Sequence, residues 1–226
     1  GLGSLLAQIE RLRAQLAREG LFAAPRKHPL PFIPRRIGLI CGRDAKAKED
    51  VLENARLRWP TAQFVIREVA VQGQYAVEQV TAALTELDAV PDVDVIIIAR
   101  GGGSVEDLLP FSDERMVRAA AGAATPIVSA IGHEGDAPLL DLVADYRAST
   151  PTDAARRVVP DFREELSGVS HLHTRLVAAT SRVLAREAES LNLLTSRPIL
   201  QRPTAALEQQ ASSLEQAMLR MRGGVS

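Results

Sequence analysis

The chain is expected to fold as an α/β protein: a mostly parallel open sheet flanked by helices, followed by a long antiparallel, coiled-coil-like helical arm. Short apolar runs alternate with amphipathic stretches through residues 36–131, the pattern of strands joined by helical crossovers. Val95-Ile96-Ile97-Ile98-Ala99 is apolar without interruption, as a strand covered on both faces must be. After Pro160 the period changes. Phe162, Leu166, Val169, Leu172, Leu176, Val183, Leu191 and Leu194 recur at helical steps with polar residues between them, which is the stripe of a long helix.

Each element has a local reason. Leu5, Leu6, Ile9, Leu12, Leu16 and Leu21 lie at helical spacing, and Gly20 ends that helix. The prolines of residues 24–31 keep the next stretch extended. Strands are expected at 36–41, 63–71, 93–99 and 126–131. The helices between them are expected at 46–59 (ended by Pro60), from 74 to about 89, and at 113–124. Strand–helix alternation implies right-handed crossovers and helices on both faces of the sheet. Ser196-Arg197-Pro198 interrupts the long helix, and Leu207, Ala211, Leu214, Met218 and Met221 resume an amphipathic pattern. Thr180 and Glu187 sit near the seam, so this arm is expected to need another chain to cover its stripe. The divisions are residues 1–31 as linker helix and proline-rich connector, 32–158 as the α/β domain, and 159–226 as an arm for subunit assembly.

Composition narrows the function. The 226 residues are 46% hydrophobic and 24% charged, ordinary for a globular protein. Aromatic residues are only 4%, which disfavours base stacking as the main mode of recognition. A net charge of -1 excludes a general coating of positive charge but not a local basic cleft. Cys41 is the single cysteine, so no internal disulfide forms and a reducing cytoplasm is the expected compartment. Its apolar strand makes it a core residue rather than a nucleophile. No apolar run is long enough to span a bilayer, and no membrane partner is expected. Gly1-Leu2-Gly3-Ser4 runs straight into a helix, as expected of a fragment of a longer protein.

Ligands of parallel sheets collect at the carboxyl ends of the strands. Here those ends are Cys41-Gly42-Arg43, Val71-Gln72-Gly73, Arg100-Gly101 and Gly132-His133. In Arg100-Gly101-Gly102-Gly103-Ser104 a cation precedes glycines that allow close backbone approach, so a phosphate site is the first reading and a plain turn the alternative. The spacing fits neither the dinucleotide fingerprint nor the Walker loop. Gly132-His133-Glu134-Gly135-Asp136 is the densest polar cluster. An imidazole there can move protons near neutral pH, and Asp136 can orient it or hold a cation. Zinc is disfavoured, because no H-x-x-x-H pair or cysteine cluster is present. Magnesium, which needs only one or two carboxylates plus substrate oxygens, stays open as a cofactor, with Asp136 its candidate ligand. Downstream, Thr150-Pro151 reads as a helix start. Arg147 is either an ion-pair partner or a substrate contact. Asp50, by spacing alone, belongs to a solvated helix face. The basic clusters Arg26-Lys27, Arg35-Arg36 and Arg56/Arg58 read as surface charge before phosphate contacts.

Three spaced motifs then carry a resemblance: residues 100–114 (from Arg100-Gly-Gly-Gly-Ser104 to Asp113-Glu114), residues 126–136 (ending Gly132-His133-Glu134-Gly135-Asp136), and residues 143–155 (containing Asp145-Tyr146-Arg147 and Thr150-Pro151). In this order they resemble the large subunit of exodeoxyribonuclease VII. Leu109 stands where that family usually has tryptophan, Pro138 replaces a frequent threonine, and residues 41–46 lack its usual hydroxyl-rich loop. The resemblance implies cleavage of single-stranded DNA from either end with release of oligonucleotides. It also implies several copies of a small helical subunit as partner and an amino-terminal OB-fold domain that is absent from these residues. It places catalysis on Asp50, Arg100, His133 and Asp136. Gly101, Gly102, Gly103, Ser104 and Arg147 are then the substrate-binding candidates. Its members include chelator-tolerant enzymes, so a requirement for magnesium does not follow. Two rivals stay open: a non-catalytic nucleotide-binding module, and a scaffold whose sheet merely carries the arm.

Overall fold

The uninterrupted apolar run becomes the central strand of a five-stranded parallel sheet. The structure, a computed structural model, describes residues 2–43, 46–101, 105–131, 137–202 and 204–223. Strands β1 (Arg36–Cys41), β2 (Phe64–Glu68), β3 (Val93–Ala99), β4 (Ile127–Ala130) and β5 (Tyr146–Arg147) lie in the order β2-β1-β3-β4-β5. Every pairing is parallel, with Leu39 opposite both Ile66 and Ile97, and Ile97 in turn opposite Val128. This is one of the two common doubly wound orders. Its strands are added in opposite directions on either side of the β1/β3 boundary, and a crevice opens there at the carboxyl edge.

Alternation along β3 supplies two cores. Ile96 and Ile98 pack with Ile40, Leu84, Leu87, Phe111 and Met116 on the face covered by α3 (Ala76–Asp88), α4 (Glu114–Gly122) and α5 (Leu139–Val143). Val95, Ile97 and Ala99 pack on the opposite face with Leu39, Val51 and Val128, under α2 (Lys46–Arg58) and α6 (Pro151–Val158). Alanines 47, 55, 154 and 155 line that second face, and such small side chains let both helices lie close to the sheet. Gly38 serves the same purpose on the first face. A Cβ there would meet Leu87 Cδ1 at 3.1 Å and both Ile96 Cγ1 and Val93 Cγ1 at 3.2 Å.

Helix α1 (Leu2–Arg18) belongs to this unit, with Leu16 fully buried in the first core. Gly20 adopts φ 75°. The Gly20 N–H donates to the Ala17 carbonyl at 3.0 Å and the Leu21 N–H to that of Leu16 at 3.1 Å, a Schellman termination that needs a residue free to go left-handed. The connector is pinned beyond it. Lys27 Nζ donates to the carbonyls of Leu142 and Ala144 at 2.5 and 2.6 Å.

The structure refines several sequence boundaries. The second strand is shorter than residues 63–71. A 3-10 helix, Val105–Ser112, follows the glycine turn. The two-residue β5 was not anticipated. Compact packing divides the chain into residues 1–165 and 166–226. Helix α7 (Phe162–Thr195) starts in the first unit, where Phe162 meets Trp59 edge-to-face at 5.7 Å and Asp161 pairs with Arg58 at 3.4 Å. The second unit continues α7 and adds α8 (Pro198–Gln201) and α9 (Ala205–Gly223). This is the long helical arm. None of the described side chains of α7 or α9 is buried, so the apolar stripe is exposed among the described residues. Among the described residues no helix is long and apolar enough to cross a membrane.

Candidate functional site

Strand pairing runs on to the carboxyl rim. The Arg100 N–H donates to the Ala130 carbonyl at 3.1 Å, and the Val69 N–H to that of Cys41 at 2.9 Å. The central strand therefore delivers Arg100 to the rim in a fixed position. Arg100 is a buried guanidinium, 6% exposed, and its Nη2 lies 3.0 Å from Asp107 Oδ2. Asp107 comes from the 3-10 helix that follows the glycine turn. The sequence assigns it only to a helix dipole. Its ion pair with the buried cation escapes sequence reading, because the two lie seven residues apart with no single period to join them.

Arg100 and Gly101 open into a cleft of about 570 Å³ at the β1/β3 boundary, also lined by Gly42, Arg43, Lys46 and the segment Val69-Ala70-Val71-Gln72 with Gln79. Gln79 steadies that segment, its Oε1 accepting the Ala70 N–H at 2.8 Å. Asp50 lies on α2, partly buried and one turn beyond Lys46, at the edge of the stripe Ala47, Val51 and Ala55 that faces the sheet. It thus leaves the same rim as the cleft without lining it. Gly102, Gly103, Ser104, His133 and Asp136 lie outside the described residues. The tether of the His133 segment is described: β4 ends at Ala130, immediately next to Arg100.

A second polar cluster occupies the β4/β5 side of the rim. Asp141, 6% exposed, accepts from Ser129 Oγ at 2.5 Å and pairs with Arg147 Nε at 2.9 Å. Burial raises the Asp141 carboxyl above its ordinary value, opposed by Ser129 and Arg147. Arg147 thus makes an ion pair, and its side chain is still 39% exposed at the rim. The signal for Asp141 was in the sequence: a single carboxylate within Leu139-Leu140-Asp141-Leu142-Val143 has to be buried with a partner. Thr150 caps α6, its Oγ1 accepting the Asp153 N–H at 3.0 Å with Pro151 in the first turn, as its sequence suggested.

The other candidates fall away. Burial pushes the Cys41 thiol up to about 11, so it is no thiolate at neutral pH. Arg35 is held by Asp92 and Asp94, Arg26 by the Ala121 carbonyl, and Arg58 by Asp161. Those basic residues serve the fold. Among the described residues no group of three or more His, Cys, Asp or Glu could hold a metal ion, so the described part of the rim gathers no metal-ligand set by itself.

Doubly wound sheet, switch-point cleft and buried rim arginine define a class: an α/β protein whose sheet opens at its carboxyl edge into a cleft lined by Arg43, Lys46 and Arg100. The family model described as "Exonuclease VII, large subunit" matches residues 21–226, and the chain belongs to that family. It is 62% identical over 92% of its length to the exodeoxyribonuclease 7 large subunit of Thermobifida fusca, of which it covers 51%. The corresponding protein of Streptomyces coelicolor is 59% identical over 93% of the chain, with 52% covered, and that of Corynebacterium efficiens 54% identical over 100%, with 55% covered. The chain thus spans about half the length of the curated relatives it matches.

Proposed function

We propose that this chain carries the catalytic centre of a hydrolase that cleaves phosphodiester bonds of single-stranded DNA and releases oligonucleotides. The observation behind this reading is the buried Arg100 guanidinium, set at the switch-point cleft of a chain that belongs to the exonuclease VII large-subunit family. Positive charge fixed in a poorly hydrated site stabilises negative charge as it grows on non-bridging phosphate oxygens, without reorganisation during the reaction. Arg100 meets that need, and its ion pair with Asp107 holds it in place before substrate arrives. Backbone N–H groups of Gly101, Gly102, Gly103 and Ser104 would add further donors. His133 would take a proton from the attacking water or give one to the leaving oxygen. Asp136 would orient His133, and Asp50 would complete the pocket from α2. Asp136 is also where a magnesium ion would be held; such an ion would add positive charge at the phosphate. Arg147 would steady the passing strand from the β5 end.

The arm fits a second role, assembly with several copies of the family's small subunit. Its long stripe of leucines is exposed, and a helical partner covers such a stripe by seam packing. The test is single-strand cleavage by the complete large subunit with its small subunit. His133→Ala abolishes cleavage and leaves strand binding intact, and Arg100→Ala slows it by roughly a hundred- to a thousand-fold. Cleavage at the parental rate by either variant ends the assignment. A chelator titration of the same complex tells whether magnesium takes part.

A further inference from the structure

We infer that Arg43 and Lys46 form a backbone-phosphate subsite beside Arg100, gripping the phosphodiester next to the one being cleaved. This rests on the reading of Arg100 above and extends it to two residues that the catalytic set does not include.

The lining of the cleft is the first observation. Among the ten described residues around it are three cations, Arg43, Lys46 and Arg100, and no carboxylate. In a chain of net charge -1 that asymmetry is not a by-product of a basic surface. Asp44, between the two new cations in sequence, lies outside the described residues.

The second observation is how these cations are engaged. Arg35, Arg67, Arg115 and Arg118 each hold a carboxylate, and Lys27 caps two carbonyls. Among the described residues Arg43 and Lys46 make no ion pair and no side-chain hydrogen bond. Exposed cations that the fold does not use, gathered on one side of a cleft, are available to a ligand.

The third is position. Gly42 and Arg43 follow β1, the direct neighbour of β3, and Lys46 opens α2. Adjacent strands stand about 4.8 Å apart, so the β1 end sits beside Arg100 on the side away from β4. A polyanion held at Arg100 with its reacting phosphate towards the β4 end runs on across this cleft. The rest of the described lining is aliphatic, amide or glycine, with no aromatic ring among the described residues, and Gln79 already accepts the Ala70 N–H. Nothing there stacks a base, so the subsite grips phosphate and ignores base identity.

The experiment is anisotropy of a labelled oligothymidylate on the full-length large subunit with its small subunit, in a His133→Ala background, over a salt series. For single strands the slope of log affinity against log salt falls by about 0.7 for each phosphate that is no longer neutralised. Arg43→Ala and Lys46→Ala are each expected to reduce the slope by up to about that amount, and Arg43→Lys to restore it, since charge carries the effect. The reduction is expected to be equal on oligoadenylate, and thymidine 5′-monophosphate to compete only weakly. An unchanged slope in the Arg43→Ala/Lys46→Ala variant, with Arg100→Ala lowering it, overturns the subsite and leaves the role of Arg100 standing. An unchanged slope for Arg100→Ala as well likewise overturns the subsite, while the catalytic reading stands or falls on the cleavage assay. Tight monophosphate binding that is abolished in the double variant while the oligonucleotide slope stays put makes the cleft a free-nucleotide pocket and overturns the proposal.

Discussion

The first 165 residues and the arm use the same aliphatic vocabulary to opposite ends. In the α/β unit Ile96, Ile97, Ile98, Leu39 and Leu84 are at most 1% exposed, enclosed between sheet and helices. In the arm Leu172, Leu176 and Leu191 are each more than 60% exposed. Burying a leucine is worth about 1.5–3 kcal/mol. The first unit therefore contains its own source of stability, whereas the described part of the arm leaves its apolar surface exposed. Under the proposed function, catalysis would use the rigid rim and assembly the open stripe, in separate stretches of sequence.

The severest test of that contrast lies at the centre of the sheet. Ile97→Ala removes a fully buried side chain held between β1, β4 and the second core. It is expected to cost about 4 kcal/mol, toward the upper end for such truncations, because the close-packed strands cannot collapse into the space. Urea unfolding of the purified chain measures this. A loss under about 1 kcal/mol, well below the usual range for such truncations, would show that the sheet is not close-packed.

Asp141→Ala comes next, with an expected loss of about 2–3 kcal/mol: Ser129 is left as a buried donor without an acceptor, and half-exposed Arg147 loses its carboxylate. The pH response of this group has a definite sign. Its folded value is raised above 3.8 by burial, so the folded protein binds the proton more tightly than the unfolded chain. Stability from this source is complete below 3.8 and is lost as pH rises through the raised value. Asp141→Asn removes that slope, so the Tm of the variant relative to the parent rises with pH across this window. A constant difference would place the titration elsewhere.

Ile97 and Asp141 also mark what the sequence could and could not disclose. Ile97 sits in an unbroken apolar run, and periodicity alone is enough to bury it. The strand–helix alternation likewise led directly to a parallel sheet and to the rim holding Arg43 and Arg100. Asp141 was legible as a lone carboxylate among leucines, but its partners come from two other elements and were not. Strand β5 escaped, since two residues, Tyr146 and Arg147, carry no period. The Arg100–Asp107 pair escaped for a different reason: no local rule encodes the angle at which Asp107 returns to the strand end. Asp50 was singled out through family resemblance and by no spacing argument. The structure adds only that it is partly buried on α2, one turn from Lys46, and does not line the cleft.

Gly38→Ala should fall below both. The added methyl meets side-chain carbons of Leu87 on α3 and of Val93 and Ile96 on β3 at 3.1–3.2 Å, so these neighbours must give by a few tenths of an ångström, at about 1 kcal/mol. Stabilisation instead would mean that the β1–α3 packing is looser than the rest of the core.

The smallest expected change in stability tests the other half of the contrast. Glutamate at Leu166, Leu172 and Leu176 together should leave the Tm of the isolated chain almost untouched, since exposed substitutions outside a core stay within about 0.5 kcal/mol each. Assembly should respond in the opposite way. Three carboxylates on the stripe have to be desolvated against a helical partner, so co-purification with the small subunit should be lost while the α/β unit keeps its far-UV spectrum and melting temperature. A fall in Tm of the isolated chain would show that the stripe is already covered, by a second copy, and the proposed separation of a catalytic unit from an assembly arm would not hold. Retained co-purification at unchanged Tm would move the partner's site off α7. Only loss of assembly without loss of stability fits an arm whose leucines are reserved for another chain.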